Sequence, residues 1–393
     1  MQYEFDKIID RHNTGSMKWD GIYTIFGDKA QGALPMWIAD MDFSVAPEIT
    51  TALKKRVEHA IFGYPLAPQS YYDAVIGWMQ RHFDWTVKQE WIHFSPGIDA
   101  ALNYIVQAFT KTDDAILIQS PVYYPYTDCI VDNHRKVILN PMQLENGVFN
   151  IDFADFEQKI VDNHVKLFLL CNPHNPGGRV WTKDELVKLL TICKKYQVMI
   201  ISDEIHADLV YSGYKNTAFG TVAEGVYDNY LVCTSASKTF NLAGLHNSNI
   251  IIPNPELGKI FFTYMNKLYL LRPNIFGQVS TEAAYTYGDE WLKQLLAYLE
   301  GNLNFLIDYM EKHVPEIKVM RPQATYLVFL DCNALGLSNE ELREFMLTKA
   351  GVVMDDGFVF GPGGEGFKRM NIACPRATLE EACKRIEKAV KNR

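Results

Sequence analysis

The sequence predicts an α/β protein with a large, doubly wound, mostly parallel sheet and a smaller C-terminal α+β domain. Three observations favour this fold class. The middle of the chain alternates short apolar runs with longer amphipathic ones, the apolar runs lack in/out alternation, and this order breaks down toward the C-terminus. The chain has 393 residues, 48% of them hydrophobic, which is enough for roughly two to three domains and a large core.

Six apolar runs are predicted to be strands that are covered on both faces. They are AILIQS from Ala115, KVILN from Lys136, KLFLLC from Lys166, VMIISDE from Val198, LVCTSAS from Leu231 and NIIIP from Asn249. Helices are predicted between them, and TKDELVKLLTICKKYQ begins with the capping-box pair Thr182 and Glu185. Because ligands bind beyond the carboxyl ends of strands in such sheets, functional residues are expected where these runs end.

The predicted domain organisation has three parts: an N-terminal segment at residues 1–48, a large domain at 49–288 and a small domain at 289–393. The N-terminal segment shows no regular period and is expected to pack onto the small domain. The small domain begins with a long helical pattern from about Asp289 to His313. The strand TYLVFLD and the closing helix TLEEACKRIEKAVKNR follow.

Composition excludes several classes of function. The net charge is -9 with no basic block, so neither nucleic acid nor an anionic membrane is expected as a partner. The seven cysteines are scattered without close pairs, which indicates free thiols in a reducing compartment and no metal site. The N-terminus mixes charges, and no apolar run approaches the roughly 18 residues of a membrane span. A cytoplasmic protein is therefore expected.

Polar residues of particular types follow two of the predicted strands. Lys238 follows LVCTSAS beside Ser235 and Ser237. It is either a nucleophilic amine that forms a Schiff base, with the serines on a phosphate, or a surface lysine in a loop. Asp203 follows VMIIS. A buried carboxylate is costly unless paired, so Asp203 either faces a cationic ring nitrogen or caps a helix.

Three further segments carry candidate binding residues. Asn175 lies in the rigid turn CNPHNPGGRVW, from which it would hydrogen-bond a ring oxygen, although such turns are also common without function. SPGIDAALN starts a helix whose backbone N–H groups at Gly97, Ile98 and Asp99 would bind phosphate. Tyr123, in PVYYPY, would stack on a flat ring or pack in the core.

In this order, the segments resemble the fold-type-I pyridoxal-phosphate enzymes, the aspartate-aminotransferase superfamily, over essentially the whole chain. The resemblance implies pyridoxal 5'-phosphate as the cofactor, held by Lys238 as a Schiff base. It implies that Asp203 pairs with the ring nitrogen, and that Asn175 bonds the phenolic oxygen. It also implies stacking of the ring on Tyr123 and a set of phosphate-binding residues. That set is Gly97, Ile98, Ser235 and Ser237.

The same resemblance implies a homodimer with shared active sites and a carboxylate-binding arginine. Tyr64, in FGYP, is similar to the tyrosine that reaches the phosphate in the neighbouring subunit. Arg369, in KRMNIACPR, matches the arginine that binds the substrate α-carboxylate bidentately. Arg376 lies nearby in the sequence and is a second candidate for this role.

Within the superfamily, the closer resemblance is to cystathionine β-lyase-like C–S lyases. FDKIIDRHNTGSMKWD, PMWIADMDF and CNPHNPGGRVW carry it. His206 occupies the position at which aminotransferases usually have a tyrosine that bonds the phenolic oxygen. His246, eight residues after the lysine, stands where typical aminotransferases have an arginine on the phosphate.

The narrower resemblance implies α,β-elimination from a small sulfur amino acid, giving a thiol, pyruvate and ammonia. Neutral Lys238 would remove the Cα proton as general base, and Trp37, Tyr64 and Tyr123 would line a thioether pocket. L-Cystathionine, cysteine and S-alkyl cysteines are all compatible substrates. Two alternatives stay open: an aminotransferase of the same fold acting on a neutral or aromatic amino acid, and a lyase-like regulator that binds a partner protein.

Overall fold

The computed structural model of the chain describes residues 2–393, and its central feature is a seven-stranded sheet with the order β2-β10-β9-β8-β7-β3-β4. Strands β9, β8, β7, β3 and β4 pair in parallel, and β10 runs antiparallel to both of its neighbours. The strands of this sheet are β2 (Ile92–Ser95), β3 (Ala115–Ser120), β4 (Lys136–Pro141), β7 (Leu167–Cys171), β8 (Met199–Asp203), β9 (Tyr230–Thr234) and β10 (Ser248–Ile251). All six apolar runs are among them, so the predicted sheet is confirmed.

Fourteen α-helices lie within residues 2–393 and surround the sheets. They are α1 (Gly21–Phe26), α2 (Pro47–Glu58), α3 (Gln69–Phe83), α4 (Ile98–Phe109), α5 (Pro125–Asp132), α6 (Phe153–Asn163), α7 (Lys183–Lys195), α8 (Phe219–Ala223), α9 (Ala236–Thr239), α10 (Pro255–Lys267), α11 (Ile275–Tyr287), α12 (Asp289–His313), α13 (Asn339–Glu344) and α14 (Arg376–Lys391). Side chains fix several helix starts: Thr182 and Glu185 form the expected capping box of α7, and Ser338 forms a second one at α13.

The C-terminal part of the chain forms a second, antiparallel sheet with the order β11-β12-β15-β14. Its strands are β11 (Lys318–Met320), β12 (Leu327–Asp331), β14 (Asp355–Asp356) and β15 (Phe367–Asn371). Two small pairs complete the structure: the hairpin β5 (Gln143–Glu145) with β6 (Val148–Asn150), and the parallel pair β1 (Leu34–Pro35) with β13 (Val352–Val353). The β1–β13 pair joins the N-terminal segment to the C-terminal part.

A buried ion network secures residues 36–43, which we call the crossing segment. The fully buried Lys18 donates to Asp42 at 2.8 Å, and Trp19 donates its indole N–H to the same carboxylate at 2.9 Å. Arg11 contacts both Asp40 and Asp42 through its guanidinium. Because buried charges need partners, this network ties two of the resemblance-bearing segments, RHNTGSMKWD and WIADMDF, to each other.

Asparagine side chains hold the crossing segment from its other side. The Asn371 amide donates to the backbone carbonyls of Ile38 and Asp40, and Asn241 binds both backbone groups of Met41. Asn371 lies on β15, and Asn241 follows α9. The crossing segment is thereby fixed against both the small sheet and the C-terminal side of the large one.

Between residues 2 and 393, no helix combines the length and apolarity of a membrane span. The same residues contain no group of three or more His, Cys, Asp or Glu side chains arranged to hold a metal ion. All seven cysteines are buried and unpaired.

Candidate active site

The carboxyl ends of β7, β8 and β9 lie at a cavity of about 310 Å³. The crossing segment, the start of α4, the turn after β7 and the residues around α9 all contribute to its lining. Among the lining residues are Ala39, Gly97, Ile98, Asp99, Tyr123, Asn175, Asp203, His206, Ser237, Lys238, His246 and Asn247. Most of the candidates proposed from separate stretches of sequence therefore lie in one place.

Lys238 presents a buried amine to this cavity from α9. Its Nζ donates a hydrogen bond of 2.8 Å to the backbone carbonyl of Ala39. Burial lowers the pKa of Lys238, and the nearby Asp99 carboxylate opposes that shift. Because desolvation disfavours the ammonium form, the site favours the neutral amine that a nucleophile or general base requires.

Asp203 lies at the carboxyl end of β8 and is also buried. Tyr126 donates its hydroxyl to Oδ2 at 2.8 Å, and the backbone N–H of Ile205 donates to Oδ1 at 3.1 Å. Burial raises the pKa of Asp203 from 3.8 to about 6, against the effect of both hydrogen bonds. A buried carboxylate in this state is stabilised by a cation, so it fits a protonated ring nitrogen.

Asn175 and His206 supply polar groups to the same cavity. The Asn175 side-chain oxygen accepts from Arg369 at 3.0 Å, which leaves the amide NH₂ as a donor. Burial lowers the pKa of His206 to about 3, so its ring is neutral at physiological pH. Its Nδ1 is buried without a partner among the described residues. Both side chains can therefore donate a hydrogen bond to an oxygen on a bound ring.

The start of α4 forms the anion-binding side of the cavity. Gly97 has a φ of 144°, a conformation that residues with a side chain rarely adopt. The N–H groups of the first helical turn have no intrahelical acceptor and lie at the positive end of the helix dipole. Ser237 and His246 line the cavity as well, and His246 Nδ1 lies 3.1 Å from the Pro96 carbonyl oxygen. These groups suit a phosphate.

Taken together, the lining residues fit pyridoxal 5'-phosphate. The buried amine of Lys238 matches its aldehyde, and the buried carboxylate of Asp203 matches its ring nitrogen. The unpaired Nδ1 of His206 matches its phenolic oxygen, and the start of α4 matches its phosphate. Tyr123, a half-buried aromatic side chain in the lining, matches its flat ring.

Two residues proposed for the site do not line the cavity. Ser235 caps α9: its hydroxyl accepts from the backbone of Ser237 and donates to the Asn247 carbonyl at 2.9 Å. Trp37, expected in a thioether pocket, packs instead in a small apolar cluster with Ile22, Leu347 and Val353. Its indole N–H donates to the Lys18 carbonyl at 2.9 Å. Ser235 and Trp37, which are close in sequence to residues that line the cavity, therefore have structural roles beside it.

Two further proposed residues also lie outside the cavity. Arg376 is the first residue of α14; it donates to the Asn302 side chain at 2.8 Å and covers the Phe305 ring. These two contacts hold the Arg376 side chain away from the cavity. Tyr64 is 90% exposed, on a loop away from the cavity of its own chain. The Arg272 guanidinium lies 4.9 Å from the centre of its ring.

Arg369 lies on β15, is buried, and reaches the site through Asn175. Its Nη2 pairs with Asp355 at 2.5 Å, and its guanidinium covers the Phe360 ring at 4.7 Å. Its Nε is buried with no acceptor among residues 2–393. A charged donor left open beside the cavity suits a carboxylate.

The sequence did not single out several residues that shape the site. The partner of Asp203, Tyr126, belongs to the PVYYPY segment, whose closely spaced tyrosines were its only signal. The Tyr123 hydroxyl donates to the Asp99 carboxylate at 3.3 Å, so Asp99 contributes its side chain as well as its N–H. The Ala39 carbonyl and Asp355 gave no recognisable signal in the sequence.

The chain is similar to known proteins over nearly its whole length. Residues 37–386, which include every residue that lines the cavity, match the family model described as aminotransferase class I and II. The chain is also 44% identical over 386 residues to "Cystathionine beta-lyase PatB" of Bacillus subtilis (strain 168), covering 98% of this chain and 99% of that protein.

Two solved structures are similar in fold as well as sequence. Cystalysin from Treponema denticola, which contains a pyridoxal 5'-phosphate cofactor, matches with a TM-score of 0.97 and 36% identity, covering 100% of both chains. The PLP-bound C–S lyase from Staphylococcus hominis matches with a TM-score of 0.93 and 35% identity, covering 99% of this chain and 98% of that one.

Proposed function

This chain belongs to the class I and II aminotransferase family, and from that premise we propose its function in detail. It is a pyridoxal-phosphate-dependent carbon–sulfur β-lyase, which cleaves L-cystathionine or a related sulfur amino acid to a thiol, pyruvate and ammonia. The structural observation that most supports this function is the placement of the Lys238 amine and the Asp203 carboxylate at one cavity, where burial shifts the pKa of each.

Bound pyridoxal phosphate supplies an electron sink for the carbanion left when the Cα proton departs. Asp203 keeps a proton on the ring nitrogen, because a buried carboxylate favours a cationic partner. Lys238 Nζ, whose pKa is lowered by burial, accepts the Cα proton as general base. A thiolate on the adjacent carbon then leaves readily, which directs the outcome toward elimination.

The neighbouring residues orient the reactants. The Asn175 amide and the neutral His206 ring donate toward the phenolic oxygen, while Tyr123 covers the ring face. Gly97, Ile98 and Ser237 bind the phosphate. Arg369 binds the substrate α-carboxylate, because its Nε is an open donor and its Nη1 is fixed by Asn175.

The working unit is a homodimer in which Tyr64 completes the phosphate site of the partner subunit. Tyr64 lies on a loop whose apolar side chains are unusually exposed, and an exposed apolar patch of this kind suits a subunit interface. The exposed residues of the loop are Ile61, Phe62, Tyr64 and Leu66. The enzyme acts in the cytoplasm, which is supported by seven buried cysteines without a disulfide.

One assay tests the reaction type. Purified enzyme with its cofactor is mixed with L-cystathionine in the absence of any keto acid, and pyruvate and free thiol are measured. Both should appear in equal amounts. Amino transfer that depends on an added keto acid, without pyruvate release, would favour the aminotransferase alternative. Cofactor binding without turnover of any sulfur amino acid would favour a regulatory protein.

A further inference from the structure

Asp355 is an acidic residue that pairs with Arg369, the arginine proposed to bind the substrate α-carboxylate. It lies on β14 directly opposite Arg369 on β15, so both side chains project from the same face of the small sheet. The side chain of Asp355 is 15% exposed and that of Arg369 is 4% exposed. An acid so close to the arginine that binds the substrate carboxylate is unexpected, because it competes with the substrate for that arginine.

The pair between Asp355 and Arg369 leaves groups open on both partners. Only Oδ2 of Asp355 contacts the guanidinium, through Nη2, and the other carboxylate oxygen has no hydrogen-bond donor within residues 2–393. Arg369 keeps its buried Nε open as well. Arg369 can therefore donate a hydrogen bond to a second carboxylate, while Asp355 can bind a second cation.

The surroundings of the pair are acidic. Tyr124, 41% exposed, packs near Phe360, the ring that Arg369 covers. Burial raises the pKa of the Tyr124 hydroxyl, and the charges that act on it come from several neighbours. These are the carboxylates of Asp355, Asp128 and Asp99 and the single guanidinium of Arg369. The carboxylates that act on Tyr124 outnumber the guanidinium, which favours a cation beside Asp355.

We propose that Asp355 is a specificity-determining residue that binds an ammonium group on the leaving portion of the substrate. The proposal rests on the proposed lyase function. It narrows the substrate class to sulfur amino acids that carry a second, distal amine, as cystathionine and cystine do. While Arg369 binds the α-carboxylate, Asp355 binds the distal ammonium through its open oxygen, and neutral or anionic leaving portions gain no such contact.

Amino acids without a β-leaving group test recognition apart from chemistry. L-Lysine, L-norleucine and L-aminoadipate carry a cationic, neutral and anionic side-chain end, and their dissociation constants are measured by spectral titration of the enzyme with its cofactor. L-Lysine should bind at least about tenfold more tightly than L-norleucine, the usual effect of one charged hydrogen bond, and L-aminoadipate should bind most weakly. Equal affinities in the wild-type enzyme would overturn the proposal.

The variant Asp355→Asn separates recognition from simple competition for Arg369. It should remove the preference for L-lysine while binding L-norleucine as well as or better than wild type. Asp356→Asn is the matched control, because Asp356 lies on the same strand but pairs with Lys368 and Arg343; it should keep the preference. A preference that persists in Asp355→Asn, or an equal change for all three ligands, would contradict the role of Asp355.

Turnover distinguishes this proposal from the function on which it rests. S-Aminoethyl-L-cysteine, S-ethyl-L-cysteine and S-carboxymethyl-L-cysteine carry the same three charge types with a sulfur leaving group. The wild-type kcat/KM should fall in that order. Asp355→Asn should reduce the ratio of kcat/KM for S-aminoethyl-L-cysteine to that for S-ethyl-L-cysteine at least about tenfold. Elimination from all three at equal rates would contradict the role of Asp355 alone, whereas no elimination from any of them or from L-cystathionine would contradict the lyase function.

Discussion

The amine of Lys238 donates a hydrogen bond to the backbone carbonyl of Ala39 across 199 residues of sequence. Ala39 belongs to the crossing segment, and its carbonyl also accepts from the Tyr326 hydroxyl at 3.1 Å. The crossing segment therefore supplies an acceptor that orients the amine without adding a charge. A neutral acceptor leaves the pKa of Lys238 lowered by burial, whereas a carboxylate in the same place would raise it.

Replacing Lys238 tests its assigned role directly. Lys238→Ala should lose the visible absorbance of the protein-bound cofactor, and elimination should fall by about two to four orders of magnitude, because the general base is gone. Absorbance spectra and pyruvate release measure the two effects. Lys215→Ala, which removes an exposed lysine paired with Asp84, should change neither. A Lys238→Ala enzyme that keeps its colour and rate would refute the assignment.

Asp203→Asn should have opposite effects on stability and on cofactor binding. Burial raises the folded-state pKa of Asp203 to about 6, so in the cofactor-free protein its contribution to stability is lost as pH rises from about 4 to 6. The asparagine cannot ionise, and the cofactor-free variant should therefore unfold at a higher temperature than wild type at pH 7.5.

The same variant should bind the cofactor more weakly, because the ring nitrogen loses its anionic partner. Thermal unfolding at several pH values and equilibrium dialysis of the cofactor measure the two effects. The stability difference should shrink as the pH falls from about 6 and should vanish below 3.8, where Asp203 is protonated in both folded and unfolded protein. A variant that is less stable at pH 7.5 yet binds cofactor normally would contradict the proposed environment of Asp203.

Subunit mixing tests whether Tyr64 acts across the proposed dimer. In a dimer of one Tyr64→Phe subunit and one Lys238→Ala subunit, shared sites would leave one site with both native residues. Random mixing of equal amounts should then restore about a quarter of wild-type activity, since half of the dimers are mixed and half of their sites are intact. Pyruvate release after co-refolding measures this. Activity no higher than the average of the two parent variants would contradict a shared site.

The buried pair between Lys18 and Asp42 should be costly to break. Lys18→Met leaves the Asp42 carboxylate without its ammonium partner and should lower the free energy of unfolding by about 3–5 kcal/mol. Denaturant unfolding of the whole chain measures this. Lys29→Met is the control, because Lys29 and Glu344 form an exposed pair, and it should have little effect.

A double variant extends this test. Lys18→Met with Asp42→Asn should be less destabilised than the sum of the two single variants, because Asp42→Asn removes the buried charge that has lost its ammonium partner. Strict additivity of the two single changes would show that the two side chains do not depend on each other.

The strands of the large sheet were predictable because they are buried on both faces, which requires unbroken apolar runs such as LVCTSAS. The capping box at Thr182 was equally readable, since it is a local pattern. The hairpin of β5 and β6 was not predicted: it is short and largely exposed, so it leaves no such pattern.

The site was predictable where polar residues follow strands, as Asp203 and Asn175 do. It was not predictable where the direction of a side chain depends on tertiary packing. Trp37 and Arg376 are close in sequence to site residues, but each is directed elsewhere by its neighbours. The position of Asp355 beside Arg369 depends on the antiparallel register of β14 and β15. Ala39 contributes only its backbone carbonyl oxygen, which any residue type would provide.

The hydrogen bonds from Asn371 to Ile38 and Asp40 span more than 330 residues of sequence. During synthesis, the ribosome releases the two ends of these bonds at opposite extremes of translation. A nascent chain that already exposes Lys238 still lacks Asn371, whose hydrogen bonds position the backbone on both sides of Ala39. Lys238 therefore acquires its final surroundings only when the last strand of the small sheet has left the exit tunnel.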